Sequence, residues 1–275
     1  AGPLLGGWIS DNYTWPWIFL INLPIAAVCS WICWKILHPH ETPIVRNPID
    51  KIGFALLIIW VGSLQIMLDE GKNLDWFSSG FIVTLAVIAA VGFAAFLIWE
   101  LTEEHPIVDL RVFRHRGFSA AVLTISLTFA GFFAANVLTP LWLQSFMGYT
   151  ATHAGMVTAW VGITAFFVAP AVAGMSTKYD PRILVFSGVL WLGLIIALRA
   201  IATTQMTYWD ISWPLMLMGF GMPFFFIPST AVALSSVDEA ETNSAAGLMN
   251  FMRTLAGAMA TSVVITYWDN EITRN

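Results

Sequence analysis

Phe77–Trp99 reads FSSGFIVTLAVIAAVGFAAFLIW and contains no ionisable side chain. The hydrocarbon core of a bilayer is about 30 Å thick and takes about 20 helical residues to cross, so this stretch predicts a membrane span. It does not alternate between polar and apolar residues, as a strand of a transmembrane barrel would. Working outward, apolar runs of similar length recur at Trp17–Leu37, Ile52–Leu68, Phe118–Gln144, Ala154–Ser176, Ile183–Ala202, Trp213–Leu234 and Ser244–Trp268. The expectation is an all-α polytopic membrane protein with eight complete transmembrane helices. Ala1–Ile9, too short to cross, is read as the end of a partial first helix, and the chain as a fragment.

Composition agrees. Of 275 residues, 58% are hydrophobic and 11% charged, against about 25% charged in ordinary soluble domains. Such a chain cannot coat a water-soluble globule. The mean hydropathy of +0.75 also excludes disorder, which needs low hydrophobicity. The net charge of −5 is carried by scattered residues, so no basic stripe exists to track a nucleic-acid backbone. Cys29 and Cys33 sit four apart within one apolar run, where helix geometry disfavours a bridge; they read as packing residues.

Short cytoplasmic loops retain Lys and Arg. One set of connections carries Lys35, Arg46, Lys51, Arg111, Arg114, Arg116, Lys178 and Arg182, the other only Lys72 and Arg274. The segments around 10–16, 69–76, 145–153 and 203–212, with the C-terminal tail, are therefore expected outside.

The two remaining basic residues lie inside spans. An ionisable group at that depth costs about 2.5–3.5 kcal/mol on insertion scales. Arg199, near the outer end of its run, is expected to snorkel to the headgroups. Arg253 lies too deep for that. Gly247, Asn250, Arg253 and Gly257 share one helix face, which either packs through its glycines or lines a wet cavity. Asn22, Asn136 and Gln144 are polar enough to bond a neighbouring helix or a ligand. Pro24, Pro170, Pro223 and Pro228 mark weakened points in the helices. Asp238, Glu239 and Glu241 precede the last span, where acidic residues complement a helix N-terminus. No spacing of His, Cys, Asp and Glu suggests a metal, no glycine loop suggests a bound nucleotide, and no paired carboxylates or nucleophile arrangement within the spans suggests an enzyme. No cofactor is expected.

Ala1-Gly2-Pro3-Leu4-Leu5-Gly6-Gly7-Trp8-Ile9 resembles the end of the antiporter motif in the fifth helix of major facilitator transporters. Gly2, Gly6 and Gly7 would let two helices approach closely, and Pro3 would bend the helix end. Trp17-Ile18-Phe19-Leu20-Ile21-Asn22-Leu23-Pro24 resembles the sixth helix of the fourteen-span EmrB/QacA drug:proton antiporters. Leu68–Trp76 resembles the outer hairpin between that branch's two extra helices, and Asn250–Gly257 its penultimate span. Gly174–Arg182 resembles a second copy of the family's inner-loop motif at Gly174, Asp180 and Arg182; Lys178 stands where the motif often carries aspartate.

The resemblance implies a major facilitator helical bundle running from the end of helix five through helix thirteen. Residues 1–37 would end the N-terminal half, 38–117 would form two extra linker helices, and 118–275 the C-terminal half without its last helix. It further implies proton-driven efflux of hydrophobic or amphipathic toxic compounds across the bacterial inner membrane, with a periplasmic adaptor and an outer-membrane channel as partners. The acidic residue that exchanges protons in this family would belong to helices preceding this stretch. Asn136, Trp142, Gln144, Phe226, Asn250 and Arg253 are the residues expected to border a translocation cavity. The rival expectation is a non-transporting membrane scaffold or receptor-like remnant, in which Arg253 and the prolines serve packing alone.

Overall fold

The computed structural model describes residues 2–14, 16–38, 50–104 and 106–274, apart from the side chains at 240, 273 and 274. Arg46 and the Arg274 side chain, two of the charges used to orient the chain, lie outside the described residues. The helices are α1 (Gly2–Asn12), α2 (Trp17–Leu20), α3 (Asn22–Leu37), α4 (Lys51–Glu70), α5 (Gly80–Thr102), α6 (Arg116–Phe146), α7 (Ala151–Ser176), α8 (Pro181–Arg199), α9 (Tyr208–Ser235) and α10 (Thr242–Arg274). Among the described residues there is no strand, and eight segments are long and apolar enough to cross a membrane: α2 with α3, and each of α4 to α10. All eight coincide with the runs read from the sequence, so the protein is an all-α polytopic membrane protein.

Their ends follow local chemistry. Asp50 caps α4, its Oδ1 accepting from the amides of Ile52 at 3.0 Å and Gly53 at 2.9 Å, as an N-cap carboxylate does. Asp180 accepts from the Arg182 amide at 2.9 Å, and Pro181 opens α8 at the one position that needs no N–H. α6 stops at Gly148, whose φ of 68° is left-handed, with the Tyr149 amide donating back to the Leu143 carbonyl. α7 is capped from another helix, the Asp11 carboxylate accepting from the Thr152 amide at 2.7 Å. Hydrogen bonding by Thr152, through its side chain and then its amide, holds the Asp11 carboxyl below its usual range. Phe77–Ser79, read above as the start of a span, instead precede α5: Trp76–Ser78 form a 3₁₀ turn.

The prolines divide by position. Pro140 and Pro170 lie inside α6 and α7, and Pro223 and Pro228 inside α9. Pro24 instead occupies the first turn of α3, and Pro3 that of α1, where a missing N–H leaves no helical bond unmade.

The chain forms two compact units, Ala1–Asn47 with Thr139–Ala171 and Trp191–Pro223, and Pro48–Leu138 with Val172–Leu190 and Phe224–Asn275. In the first, Leu143, Val157, Leu192, Leu215 and Met218 are buried. Glycine brings its helices together: a Cβ on Gly219 would collide with the Val161 backbone, one on Gly7 with Ala151, and one on Gly155 with Pro3. The close approach of α1 to α7 rests on Gly7 and Gly155, whereas Gly2 and Gly6 face open space.

In the second unit α4 and α5 form a hairpin in which a Cβ on Gly92 would lie 3.0 Å from the Trp60 Cβ. Trp60 also meets Phe251 of α10 edge-on, the ring centroids 5.8 Å apart. Ser262 of α10 donates to the Leu68 carbonyl at 2.8 Å, and Lys72 pairs with Asp269 at 2.8 Å. The hairpin turn and the end of α10 therefore lie together, as the charge-based orientation requires.

Large apolar side chains point away from the chain. Phe166 and Phe167 of α7 are each 74% exposed, and α2 and α3 bury no residue. Helices satisfy their backbone internally, so their outer apolar faces suit lipid. Cys29 and Cys33 are free and exposed; they do not pack into a core, because their helix contributes nothing to one.

Candidate translocation site

Arg253 lies eleven residues into α10, about 16 Å along its axis at 1.5 Å per residue. Its guanidinium carbon sits 5.1 Å from the ring centroids of both Phe129 on α6 and Phe226 on α9. The ring faces carry negative quadrupole potential and attract the cation. Its Nε is buried and has no hydrogen-bond partner. Among the described residues no carboxylate pairs with it. The protein has thus inserted a cation and surrounded it with aromatic rings, leaving its hydrogen-bonding capacity uncommitted.

The face of α10 that carries Arg253 is divided. A Cβ on Gly257 would lie 3.2 Å from the Phe129 ring, whereas Gly247 meets nothing within 4 Å and Asn250 is exposed. One end packs against α6 and the other is open. Of the other expected cavity residues, Asn136 and Phe226 are half-buried and belong to the second unit with Asn250 and Arg253; Trp142, half-buried, and Gln144, exposed, belong to the first.

Among the described residues the side-chain amide N–H groups of these candidates bond within their own spans. Asn22, Asn136, Gln144 and Asn250 each donate to the carbonyl four residues earlier, those of Ile18, Phe132, Pro140 and Ala246, at 3.0–3.2 Å. For Asn22, Asn136 and Gln144, read as able to bond a neighbouring helix or a ligand, the donor bond goes to the preceding turn of the same span.

Arg199 also differs from expectation. Instead of snorkelling it turns inward, donating through Nη2 to the Thr139 hydroxyl and through Nη1 to Met218 Sδ at 3.5 Å. Thr139 and Met218 offer acceptors on neighbouring helices, and the guanidinium takes them. In the inner-loop motif, Asp180 serves as the cap of α8, Gly174 meets nothing within 4 Å, and Arg182 and Lys178 are exposed.

Asp238 makes no side-chain cap bond to the 3₁₀ turn Glu239–Glu241 that leads into α10. It and Glu241 pair with Arg114, Glu241 at 2.8 Å and Asp238 at 3.5 Å, and Glu241 also contacts His115 Nε2 at 3.0 Å. These partners are more than a hundred residues away in sequence, so local spacing gave no sign of them. His115, Asp238 and Glu241 converge closely enough to offer ligand atoms within 4.8 Å of one another. Arg114 already occupies one Glu241 oxygen, which makes the cluster an ion-pair clasp. Phe129, the second ring against Arg253, was likewise missed; its only sequence signal is an aromatic in a span rich in them.

These features define a class: a polytopic helical membrane protein with a cation held at mid-span among aromatic rings. The sequence profile of the Major Facilitator Superfamily matches residues 1–261, and the chain belongs to that superfamily of transporters. It is 41% identical over 268 residues to the fatty acid resistance protein FarB of Neisseria gonorrhoeae. It is 43% identical to the multidrug export protein EmrB of Haemophilus influenzae over 270 residues and to that of Escherichia coli over 271. Each alignment covers 98% of this chain and 53% of the relative. The chain thus spans about half the length of the curated relatives it matches.

Proposed function

We propose that the whole protein exports hydrophobic or amphipathic toxic compounds across the bacterial inner membrane by antiport with protons. The names of its relatives, multidrug export and fatty acid resistance, support the substrate class. The observation that carries the site is the uncommitted guanidinium of Arg253 between Phe129 and Phe226. A cation kept at membrane depth without a hydrogen bond is better explained by use than by packing. Asn136, Phe226, Asn250 and Arg253 of the second unit border the substrate path in this reading, and the amides supply further polar contacts. Residues 1–37 end the N-terminal half, 38–117 form the linker helices and 118–275 belong to the C-terminal half. A periplasmic adaptor and an outer-membrane channel complete the route, which copurification from membranes tests.

The decisive variant is Arg253→Ala in the full-length protein, with proton-coupled dye efflux measured at equal membrane abundance. Efflux is expected to fall about tenfold or more, the scale of a lost charge-assisted hydrogen bond. Unchanged efflux removes Arg253 from the site.

A further inference from the structure

Asp50 and Glu100 meet at one end of the α4–α5 hairpin, a region the efflux reading does not use. Asp50 is surrounded by donors. Its Oδ1 takes the amides of Ile52 and Gly53, and its Oδ2 takes the Trp99 indole N–H at 2.9 Å. Three N–H groups are thus aimed at this one carboxylate. Glu100 is the opposite case. It is 0% exposed, its Oε2 accepts from the Val108 amide at 3.1 Å, and its Oε1 is buried with no hydrogen-bond partner. The Ile107 amide also faces this carboxyl group, without forming a hydrogen bond to Oε1.

Gly53 separates the two acids. A Cβ on it would collide with Asp50 Oδ2 and lie 2.7 Å from Glu100 Oε1, so the carboxyl groups face each other across the space that this glycine leaves empty. The surrounding charges do not relieve their repulsion. Asp109 adds a further negative charge beside Glu100 while capping the Arg111 amide. Arg111 is turned to the Glu103 carbonyl at 3.4 Å; Lys51, Glu103 and Glu104 are further charged groups of these segments, and Arg46 and His105 lie outside the described residues. Among the described residues no Lys or Arg forms an ion pair with either acid.

We propose that Asp50 and Glu100 form a proton-binding site, with one proton held on Glu100 Oε1 and donated to Asp50. Two carboxylates this close disfavour ionising together, and among the described residues no Lys or Arg pairs with either. Asp50 already accepts three hydrogen bonds, whereas a proton on the enclosed Glu100 gives its unpartnered oxygen the missing one. The proton then ties the first turn of α4 to the last turn of α5, and through Val108 to the segment that leads into α6. Its loss would place two like charges inside that joint.

The test uses the full-length transporter in lipid vesicles and infrared difference spectra taken from acid to alkaline pH. A carboxylic-acid C=O band is expected at neutral pH, absent in Glu100→Gln and shifted in Asp50→Asn. In thermal unfolding, Glu100→Gln is expected to match the parent at neutral pH, because its amide N–H replaces the acid O–H, and to lose the fall in Tm that the parent shows as pH rises and the proton leaves. Identical carboxylic bands in the parent and Glu100→Gln overturn the proposal. So does a band unmoved by Asp50→Asn, which decides the matter if the glutamine variant does not fold. A band abolished when sodium replaces choline at fixed pH assigns the site to a metal cation and also overturns it.

Discussion

Arg253 draws its local stability from two aromatic faces rather than from a counter-ion. A cation–π contact contributes about 0.5–2 kcal/mol, more when desolvated. Phe129→Leu and Phe226→Leu should therefore each lower the unfolding free energy of the full-length protein by about 1–2 kcal/mol, and by less in an Arg253→Met background. Thermal unfolding in lipid checks this through a double-mutant cycle. Equal losses with arginine and with methionine at position 253 would show that the rings serve apolar packing alone. Arg253 was legible in the sequence because charge inside an apolar run needs a reason. Its partners were not, since Phe129 and Phe226 lie on other helices and nothing in their local spacing singles them out. The same limit hid Asp50 and Glu100. Each reads as an ordinary acid at the edge of a span, and only the fold brings them together. Arg199 was misread for a related reason: distance to the helix end suggested an outward path, and acceptors on α6 and α9 drew the side chain inward.

At the scale of helices, length and hydropathy sufficed to find all eight spans, because crossing lipid imposes both. How the helices touch was not legible. Gly193 and Gly219 are both glycines inside apolar spans, yet a Cβ on Gly193 would meet nothing within 4 Å while one on Gly219 would strike the Val161 backbone. Backbone cannot yield as a side-chain tip can. Gly219→Leu should accordingly abolish the folded, monodisperse protein in detergent size-exclusion chromatography, while Gly193→Leu should elute as the parent does. Comparable profiles for the two variants would show that close approach of α7 and α9 is not required. The acidic turn before α10 teaches a similar lesson. Proximity to a helix start suggested a role for Asp238 and Glu241 at the N-terminus of α10, and the fold adds Arg114 and His115 as distant partners for the same oxygens.

For the molecule as a whole, the central claim is that eight helices cross the bilayer with a fixed sidedness. Two independent features agree on it. The Lys and Arg imbalance assigns sides from sequence alone, and the Lys72–Asp269 and Arg114–Glu241 pairs join loops assigned to one side each. The most direct measurement is maleimide labelling of single cysteines in the full-length protein, after Cys29, Cys33 and any cysteines outside this stretch are replaced by serine. Asn73→Cys, Gly148→Cys and Gln205→Cys should react with a membrane-impermeant reagent in intact spheroplasts, while Glu104→Cys, Lys178→Cys and Glu239→Cys should react only after permeabilisation. Labelling of positions from both sets in intact spheroplasts, or protection of any of the first three, would contradict the crossing pattern on which the site, the proton pair and the transport reading all depend.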